Sequence, residues 1–572
     1  MDLIAGLHQK LITLIIAENK FAISKELQKK ITLELPKQKS YGCLSTNAAM
    51  ILAKSMQTSP LILAEQFKKK ILANIQDIKE IDIVKPGFIN FRMKPLFWQN
   101  SLKLIHPRQD FGKVNIGQGE KINIEFGSPN PTGPLHVGHS RGAIFGDVLA
   151  NILTYANYKV TRENYINDAG NQINNLAKSL YLRYLEVANN SSITIPSGLY
   201  PGKYLITIAK KLYKSVGNKY LNLAEAEYLE IFKKIAIKEM LELIKSGFKD
   251  LNITHDIHFS EKSLHENQAI SKAVELLTTQ NKTYHGTLPK PKGKALEDWE
   301  ESTQLLFKAK EYGDDIDRAL QKSDQSWTYF AADTAYHLNK IERGYHKMIL
   351  VLGADHGGYI KRMKAMVAAL SDNQATIDIK LCQLVKFIRN GDIMKMSKRD
   401  GSFITASEVA QAVGSDSLRF IMLTRKNDMI LEFDLDQAVE QSKNNPIFYV
   451  QYAHARICSI LRNSTARSTY NYAALAHLTG EAEIDLIRHI NIFPQIISVI
   501  AYNYEPHRLA FYLQELAAKF HAYWNLGKNN NEYRFLNADP AKTEARIILL
   551  ETLKQVFYNG LKLFSIKASA QM

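Results

Sequence analysis

A change of hydrophobic period within residues 122–155 constrains the fold of this 572-residue chain more than any other feature. Ile122 and Ile124 alternate with polar residues, which is typical of a half-buried strand. A turn rich in glycine and proline follows at 127–134, and from about Gly138 apolar residues recur at helical spacing. The pattern predicts a strand, a tight loop and a helix whose N-terminus directs free N–H groups and a positive dipole end at an anion.

Two histidines, His136 and His139, stand at the predicted start of that helix. Imidazoles at such a place can donate hydrogen bonds to phosphate oxygens as charge builds up in a transition state. A zinc-binding pair is one alternative, but the neighbouring sequence has no third Cys or His to complete a zinc site. The other alternative is that the two histidines have no ligand and simply lie on the surface at the start of a helix, because the motif is short.

Charge and cysteine content limit the partners and the compartment. The chain has 73 Lys and Arg against 57 Asp and Glu, a net charge of +16. This excess favours a polyanionic partner, most simply nucleic acid, although a generally basic proteome would leave the same excess. Three scattered cysteines fit neither a disulfide framework nor a zinc site and are typical of a reducing cytoplasm. No stretch approaches the apolar length of a membrane span, so we expect a cytoplasmic protein without a membrane partner.

A second phosphate-binding motif is predicted at 395–398, Lys-Met-Ser-Lys, which Gly391 and Gly401 bracket. Two lysines three residues apart can reach one polyphosphate as point charges. An exposed basic turn is the ordinary alternative for any such lysine pair. The chain lacks the string G-x-x-x-x-G-K-[ST], which argues against a P-loop enzyme.

The string SPNPTGPLHVGHSRG at 128–142 resembles the first signature of class I aminoacyl-tRNA synthetases, in the form typical of the arginyl-tRNA synthetase family. Lys-Met-Ser-Lys resembles the second signature, and YINDAGNQ at 165–172 is also similar to that family, although a helix cap is enough to explain Asp168. The resemblance covers nearly the whole chain. It implies an arginine–tRNA ligase, which activates L-arginine with ATP and transfers it to the 3′-terminal adenosine of arginine tRNA, releasing pyrophosphate and AMP.

The resemblance implies an α/β fold: a Rossmann-like class I synthetase catalytic core with an N-terminal α/β module and a C-terminal all-helical bundle. We expect a tRNA-contacting N-terminal domain at 1–110, with a linker over 104–120. The catalytic domain at 111–425 is expected to carry a helical insertion at about 176–320. A helical anticodon-binding domain is expected at 426–572.

The resemblance also implies which residues handle ATP. His136 and His139 would hold the phosphates, and Gly138 would leave room for the adenosine. Lys395 and Lys398 would stabilise the departing pyrophosphate, and Mg²⁺ that accompanies ATP would share that charge. We expect these histidines and lysines to be catalytic, and no zinc or other protein-held metal. The expected ATP-binding residues are Pro129, Asn130, Pro131, Thr132, Gly133, Pro134, Leu135, His136, Val137, Gly138, His139, Lys395, Met396, Ser397 and Lys398.

The arginine site is implied in the same way. Glu125 and Asn130 match positions that family members use on the ammonium and backbone of the amino acid. Tyr329 and Asp333 match those that face the guanidinium, and on a helix they would share one side. A carboxylate can accept two guanidinium donors in parallel, although Asp333 without the match is an ordinary helix-surface acid. His356 is the remaining expected arginine contact, in an HGGY segment where relatives commonly have HHGY.

Residues of the C-terminal bundle are candidates for tRNA contact. We expect Tyr449, Tyr452 and Arg456 to contact the anticodon, with His454 as a further candidate for base stacking. Ordinary core packing fits either tyrosine taken singly. The expected partners are arginine tRNA, L-arginine and ATP, and the chain is expected to act as a monomer.

Two other functions remain open from the sequence. Another class I synthetase is one: a cysteine enzyme would need zinc ligands, and a glutamate enzyme would need a basic pocket in place of Asp333. A non-catalytic RNA-binding protein derived from a synthetase is the other. The intact histidine and lysine motifs argue against that second alternative.

Overall fold

The computed structural model describes residues 3–16, 24–36, 38–288, 302–394, 404–464 and 469–572. The predicted phosphate-binding residues Lys395, Met396, Ser397 and Lys398 lie outside the described residues. The chain divides into two compact units. The first comprises Met1–Val114, Phe448–Asn503 and Arg508–Met572, and the second comprises Asn115–Ile447 and Tyr504–His507.

The N-terminal part of the first unit is an antiparallel sheet with helices packed on it. Its elements are α1 (Leu3–Ile16), α2 (Lys25–Lys30), β1 (Leu33–Glu34), β2 (Leu44–Thr46), α3 (Ala48–Leu52), α4 (Pro60–Asn74), β3 (Ile78–Val84), β4 (Phe88–Met93) and α5 (Pro95–Ile105). The strands lie in the order β1–β2–β4–β3. Ile89, Phe91 and Met93 alternate along β4 and are buried, so one face of the sheet forms the core.

The second unit contains the predicted strand, loop and helix. Its elements are β5 (Lys121–Glu125), α6 (Val137–Tyr155), β6 (Lys159–Ile166), α7 (Asn171–Ala188), α8 (Lys203–Val216), α9 (Glu225–Asp250), β7 (Ile257–Ser260), α10 (Glu261–Glu266), α11 (Ala269–Thr279), β8 (Thr283–Gly286), β9 (Gln304–Phe307), β10 (Arg318–Gln321), α12 (Tyr329–Glu342), β11 (Lys347–Gly353), α13 (Tyr359–Leu370), β12 (Thr376–Cys382), β13 (Val385–Arg389), β14 (Asp392–Ile393), α14 (Ala406–Val413), α15 (Ser415–Ile421), β15 (Leu431–Asp434) and α16 (Leu435–Val439).

The central sheet of the second unit is parallel throughout, in the order β12–β11–β5–β6–β7. In order of appearance along the chain this is 5-4-1-2-3, the order of a dinucleotide-binding fold. The structure thereby confirms the predicted α/β core. β7 forms one edge of this sheet, although it lies inside the region 176–320 that we expected to be an insertion. Its four residues are too few to carry a clear periodic signal.

Helix α6 packs on this sheet through the apolar face that the sequence predicted. Ile144, Val148 and Ile152 are fully buried, as is Phe126 at the end of the preceding strand. Gly146 allows this close packing, since a Cβ there would lie 2.2 Å from the Phe126 ring. The helix is therefore fixed tightly against β5, and the loop between them is held at both ends.

The C-terminal helices are α17 (Pro446–Arg462), α18 (Glu481–Asn491), α19 (Phe493–Asn503), α20 (His507–Asn529) and α21 (Pro540–Leu563). The stretch Glu481–Asn503 is long and apolar enough to cross a membrane by composition alone, but 67% of its most apolar window is buried within the protein. The expectation that no stretch approaches the apolar length of a membrane span is therefore wrong for this stretch, and core packing accounts for its composition. These helices confirm the predicted all-helical C-terminal bundle.

Helix α5 is part of the same hydrophobic core as the C-terminal helices. It packs against α18 and α21, and Asn491 Nδ2 donates a hydrogen bond to Ser101 Oγ at 2.7 Å. Asn559 Nδ2 donates to the Phe111 carbonyl at 3.0 Å. The first part of the linker expected over 104–120 is therefore packed structure. Its partners lie hundreds of residues later in the chain, where a local pattern gives no sign of them.

Candidate active site

A crevice is expected between β5 and β11, where the order in which strands are added to the central sheet reverses. β5 and β11 are hydrogen-bonded neighbours, but the chain leaves β5 toward β6 and leaves β11 toward β12. In parallel sheets the loops diverge at such a switch point, and ligands bind beyond the carboxyl ends of the two strands. The loop 126–136 follows β5, and a single 3₁₀ turn, Ala354–His356, follows β11. Both sequence-predicted regions, the histidine motif and the HGGY segment, thus lie at this crevice.

His136 caps helix α6. Its Nδ1 accepts a hydrogen bond from the Gly138 N–H at 2.8 Å, so a neutral ring carries its proton on Nε2. Gly138 is exposed, and a Cβ there would lie 2.8 Å from that same Nδ1. The ring centres of His136 and His139 are 6.0 Å apart. The N–H groups of Val137, Gly138 and His139 all donate within the protein, so the free N–H groups expected here are not found. The two imidazoles are the groups that this helix start can offer to phosphate oxygens.

The segment 404–406 is hydrogen-bonded to the histidine motif. Ala406 N–H donates to the Leu135 carbonyl at 2.8 Å, and Val137 N–H donates to the Ile404 carbonyl at 3.1 Å. His136 and Thr405 form the bridge between these bonds. Ile404, the first described residue after the predicted lysine motif, is therefore held beside the histidine motif.

The other residues predicted to bind ATP differ in accessibility. Leu135 and Val137 are buried, and their backbone groups are used by the segment 404–406, so they support the loop. Asn130 is exposed, and Thr132, Gly133 and Pro134 are half-buried. Pro129 and Pro131 are buried. Only part of the predicted set can therefore offer a polar group to a ligand.

Three carboxylates, Glu125, Glu261 and Asp333, interact electrostatically and form what we call the acidic pocket. Glu125 ends β5, Glu261 follows β7 directly, and Asp333 lies on α12. Lys340 Nζ donates to Glu125 Oε2 at 2.6 Å, and this ammonium also lies 4.2 Å from the centre of the Tyr336 ring. One carboxylate of the pocket thus has a cationic partner within the protein.

Asp333 has no such partner. Its carboxylate accepts no hydrogen bond from any residue that the structure describes. Burial, followed by the negative charges of Glu125 and Glu261, raises the pKa of Asp333 to about 7. The pKa of Glu261 is raised by burial as well, although Tyr165 donates a hydrogen bond to it. The acidic pocket therefore favours a cation that can pair with both groups.

A buried network fixes the floor of the acidic pocket. Arg343 donates two hydrogen bonds to Glu163, at 2.8 and 2.9 Å, and Tyr336 donates a third at 2.9 Å. Burial opposes ionisation of Glu163, but the Arg343 hydrogen bonds and the charge of Lys340 hold its pKa below the ordinary value. Since Tyr336, Lys340 and Arg343 all lie on or just after α12, the network sets the position of the helix that carries Asp333.

The remaining predicted arginine contacts differ in surroundings. Tyr329 begins α12 and is 81% exposed, one turn before Asp333 and on the same side. Asn130 lies in the loop after β5. His356 Nε2 lies 3.6 Å from Asp355 Oδ2, and the His356 ring packs edge-on to a neighbouring tyrosine ring. Its described contacts are thus with its own segment.

Sequence reasoning missed Lys340, Glu261 and the Glu163 network. Lys340 lies seven residues after Asp333, at a helical spacing that could have indicated it. Glu261 follows a strand of four residues, and its approach to the pocket depends on the sheet order. Asp168 holds the turn around Glu261: its carboxylate accepts from Ser260 Oγ at 2.6 Å and from the Lys262 N–H at 2.9 Å.

Two of the predicted tRNA contacts line a cavity of about 960 Å³ among the C-terminal helices. Tyr452 and Arg456 line it, and the Arg456 guanidinium lies 4.3 Å from the Tyr452 ring centre and 5.0 Å from that of Trp524. Tyr449 does not line the cavity and packs against a histidine ring. His454 is buried, and its Nδ1 is hydrogen-bonded to a backbone carbonyl.

Models of three protein families match the chain. A model described as "tRNA synthetases class I (R), catalytic domain" matches residues 103–460. The "Arginyl tRNA synthetase N terminal domain" model matches residues 7–93, and the "DALR anticodon binding domain" model matches residues 450–572. Together these three matches account for almost the entire chain.

Curated proteins resemble the chain over nearly its full length. A protein of Azorhizobium caulinodans named arginine–tRNA ligase is 46% identical over 555 residues, 95% of this chain and 94% of the relative. A protein of Rickettsia bellii with the same name is 45% identical over 571 residues, 98% of each chain.

Solved structures resemble the fold. The arginyl-tRNA synthetase of Thermus thermophilus aligns with a TM-score of 0.76 at 21% identity and covers all of both chains, which bears on the fold alone. A protein from Campylobacter jejuni, described as a putative arginyl-tRNA synthetase, aligns with a TM-score of 0.72 at 29% identity, over 84% of this chain and all of that one.

Proposed function

The chain belongs to the arginyl-tRNA synthetase family, and from this premise we propose that it is an arginine–tRNA ligase whose amino-acid site is the acidic pocket. The observation that carries this proposal is the set of interacting carboxylates Glu125, Glu261 and Asp333, of which Glu125 ends the switch-point strand β5. Arginine brings an ammonium and a guanidinium. In the pocket Glu125 is paired with Lys340, Glu261 interacts with Tyr165 and His265, and Asp333 accepts no side-chain hydrogen bond from the described residues.

In this proposal the guanidinium pairs with Asp333 and Glu261, because its planar fork of five donors can form two parallel hydrogen bonds with one carboxylate and still donate to the other. Tyr329 covers the guanidinium plane from the start of α12. Glu125 and Asn130 receive the ammonium and backbone end of the amino acid. His356, at the end of β11, lies at the same crevice and contacts the carboxylate end in our assignment.

The first step needs no protein nucleophile. A carboxylate oxygen of arginine attacks the α-phosphorus of ATP, the bond between that phosphorus and the β-bridging oxygen breaks, and pyrophosphate leaves. His136 and His139 hold phosphate oxygens at the N-terminus of α6, while the adenosine lies against Gly138. Lys395 and Lys398 balance the charge of the leaving pyrophosphate. Positioning and charge stabilisation can supply most of the acceleration of such a reaction.

In the second step the terminal ribose hydroxyl of tRNA attacks the carbonyl carbon of arginyl-adenylate. An ester bond forms, the bond from the carbonyl carbon to the phosphate oxygen breaks, and AMP leaves with the electron pair. The hydroxyl proton passes to the AMP phosphate or to water. The acidic pocket keeps the amino acid in place through both steps, because neither step changes the charge of the guanidinium.

We propose that Mg²⁺ arrives with ATP as part of that substrate. Among the described residues, no group of three or more His, Cys, Asp or Glu side chains is arranged to hold a metal. Mg²⁺ commonly binds phosphate oxygens and keeps most of its waters, so it needs few protein ligands. It supplies charge neutralisation at the phosphates, and we assign no zinc to the protein.

The second substrate is arginine tRNA, bound in our proposal through its anticodon at the C-terminal cavity. Tyr452, Trp524 and Arg456 offer flat aromatic and guanidinium surfaces, which bases stack on. The net charge of +16 favours the polyanion. We propose that Tyr449, which packs against a histidine ring outside the cavity, supports the neighbouring tRNA-binding residues without contacting a base.

The remaining expectations stay proposals. We propose an N-terminal tRNA-contacting domain at 1–110, a catalytic domain at 111–425 with its insertion, and an anticodon-binding domain at 426–572. One chain supplies all the proposed binding groups, which supports a monomer. Cysteines 43, 382 and 458 are free thiols, which is compatible with the reducing cytoplasm where translation takes place. We assign no membrane partner.

Aminoacylation with each of the twenty amino acids, using purified protein, ATP and unfractionated tRNA, tests the proposal. We expect incorporation of arginine alone, and its loss in the Asp333→Asn variant, which controls for contaminating enzymes. Charging with another amino acid would refute the substrate assignment. Absence of charging with every amino acid, from a protein that binds tRNA, would favour a non-catalytic RNA-binding protein.

A further inference from the structure

Lys340 is a charged side chain that takes no part in the proposed reaction steps. It lies on α12, seven residues after Asp333, and is only 1% exposed. Lysine is almost never buried to this degree without a partner, because its ammonium then loses its hydration. The partner of Lys340 belongs to the acidic pocket, so the role of this lysine concerns that pocket.

The partner is Glu125, the carboxylate that receives the ammonium of arginine in the proposed function. Lys340 Nζ donates to Glu125 Oε2 at 2.6 Å, and both side chains are buried. The Tyr336 hydroxyl also interacts with this carboxylate. A carboxylate offers about four acceptor sites, so these two side chains leave sites for a further donor.

Lys340 is itself held in place by Tyr336. Its ammonium lies 4.2 Å from the centre of the Tyr336 ring, within the range of a cation–π interaction. The Tyr336 hydroxyl donates to Glu163 Oε1 at 2.9 Å, and Glu163 also accepts two hydrogen bonds from Arg343. Lys340 thus connects Glu125 to the buried network at the floor of the acidic pocket, which restricts the orientation of the carboxylate.

The charge of Lys340 matters because two other carboxylates lie near Glu125. Burial and the charges of Glu125 and Glu261 raise the pKa of Asp333. Arg362 and Lys340 oppose that rise, so Lys340 is close enough to act on the pocket as a charge. An uncharged donor in its place could keep a hydrogen bond to Glu125 but would not offset the repulsion between the carboxylates.

We propose that Lys340 is a positioning residue of the amino-acid site, which fixes Glu125 so that its carboxylate meets the ammonium of arginine. The inference rests on the proposed function, because it takes Glu125 as the partner of that ammonium. In this role Lys340 acts through Glu125 and touches neither arginine nor ATP. Its loss should therefore weaken the binding of ligands that carry the ammonium and spare ligands that lack it.

The test compares arginine with 5-guanidinopentanoate, which is arginine without its α-ammonium. Dissociation constants are measured by titration calorimetry with tRNA present and ATP omitted, so that no reaction takes place. In Lys340→Gln the dissociation constant of arginine should rise about tenfold, as for one weakened hydrogen bond to a charged group, and that of the analogue less than about twofold. Lys340→Arg keeps the charge and should bind arginine within about threefold of wild type.

Two control variants separate this role from a loss of stability. Lys282 is another buried lysine of the second unit, and its Nζ donates to Asp372 Oδ1 at 2.7 Å and to the Ala369 carbonyl at 2.6 Å. Lys282→Gln should lower the melting temperature, as Lys340→Gln does, yet leave both dissociation constants unchanged. Asp333→Asn should weaken arginine and the analogue alike, because both carry the guanidinium.

An equal loss of affinity for arginine and the analogue in folded Lys340→Gln, or no loss for either, would overturn the inference. If thermal melting shows that Lys340→Gln does not fold, the double variant Glu125→Gln/Lys340→Gln, which lacks both charges of the pair, is compared with Glu125→Gln. The added replacement should then change arginine affinity by less than about twofold, because Lys340 acts through Glu125. A further loss of about tenfold would contradict this.

Failure of the proposed function gives a different result. Wild-type protein that charges no arginine would refute the enzyme assignment. Equal weakening of arginine and the analogue in Glu125→Gln would refute the assignment of Glu125, and this inference with it. The inference alone fails when wild type charges arginine and Glu125→Gln loses affinity for arginine selectively, but Lys340→Gln does not.

Discussion

Single residues differ sharply in how their charge is balanced within the acidic pocket. Glu125 has Lys340 as a hydrogen-bonded partner at 2.6 Å, whereas Asp333 lacks one among the described residues. A half-buried carboxylate without a partner lowers stability, and a bound guanidinium would relieve this cost. Asp333 is therefore the residue at which the substrate's charge should matter most.

Asp333→Asn should lower kcat/KM for arginine by at least about thirtyfold, because losing one partner of a desolvated charge pair typically costs about 2–5 kcal/mol. The KM for ATP should barely change, and the melting temperature should not fall, because the variant removes a carboxylate that lacks a partner. Glu342→Gln, the corresponding acid-to-amide replacement at an exposed position of α12, is the control and should leave kcat/KM for arginine unchanged. Steady-state kinetics of both variants give the answer, and wild-type arginine kinetics in Asp333→Asn would contradict the assignment.

The raised pKa of Asp333, about 7 in the empty protein, predicts a pH dependence. Below pH 7 the carboxyl is mostly protonated and must lose its proton before it pairs with the guanidinium. The KM for arginine should therefore fall by up to about tenfold per unit as pH rises toward 7, and level off above about pH 8.

The effect of this group on folding has the opposite sign. An acid whose pKa is higher in the folded state destabilises that state as pH rises from about 4 to about 7. Over this interval the melting temperature of wild type should decline relative to that of Asp333→Asn. A KM profile that is flat from pH 6 to pH 8, or one that Asp333→Asn shares, would be incompatible with the raised pKa.

Among the elements, the loop before α6 and the segment before α14 act as one hydrogen-bonded pair. The bonds between residues 135–137 and 404–406 fix the end of the lysine-motif segment beside the histidines. The histidine motif and the described chain after the proposed lysine motif thus share a structural connection. Changes on either side of that connection should affect the same chemical step.

Lys398→Ala should reduce the rate of adenylate formation by an equivalent of about 2–4 kcal/mol, the usual cost of removing one electrostatic stabiliser of a transition state. The KM for ATP should move less, since the ammonium acts mainly on the departing pyrophosphate. Single-turnover measurement of adenylate formation separates the two effects. A normal rate with only a raised KM would assign Lys398 to ground-state binding instead.

Ala406→Pro should weaken the connection itself. Ala406 is the first residue of α14, where proline is compatible with a helix, and Thr405 before it already has an extended backbone. The replacement removes the N–H that bonds to the Leu135 carbonyl. We expect a fall of about fivefold to tenfold in adenylate formation with a small change in melting temperature, and Ala410→Pro, inside the same helix, should instead unfold α14. An unchanged rate in folded Ala406→Pro would remove this connection from the mechanism.

The sequence predicted those elements whose signal is local. The strand, loop and helix at 122–155 are indicated by their change of period, and Tyr329 and Asp333 by their spacing of four. Glu261 could not be predicted, because its place in the acidic pocket depends on a short strand at the edge of the sheet. The helical spacing of Lys340 from Asp333 could have placed it on the same side of α12, but its pairing with Glu125 joins residues 215 apart and required the structure.

At the scale of the whole molecule, the first unit contains both the N-terminal region and the C-terminal helices. Residues 1–114 share a compact unit with the C-terminal helices, and α5 packs against α18 and α21. No sequence period reports such a pairing, which is why the linker predicted over 104–120 was placed too early. The fold class followed from local patterns and family resemblance, but this long-range packing did not.

A chain that begins at Lys94 should fold and bind tRNA less tightly. It retains α5 while removing the region that matches the N-terminal domain model. Loss of basic contacts should also make the salt dependence of tRNA binding shallower. A chain that begins at Phe111 is the comparison: it lacks α5 and leaves Asn491 without Ser101, so it should melt at a lower temperature. Unchanged tRNA affinity and salt slope from Lys94 onward would remove this module from the RNA interface.

The packing of α5 against helices near the other end of the chain also bears on biosynthesis. Ser101 and Asn491, which are hydrogen-bonded in the first unit, are separated by 390 residues. At a ribosomal rate of about 5–20 residues per second, α5 emerges about 20–80 s before its partner helices exist. During this interval the apolar face around Trp98, which is fully buried in the finished protein, stays accessible to chaperones on the nascent chain. The first unit can close only when synthesis is nearly complete, after the catalytic sheet has had time to form.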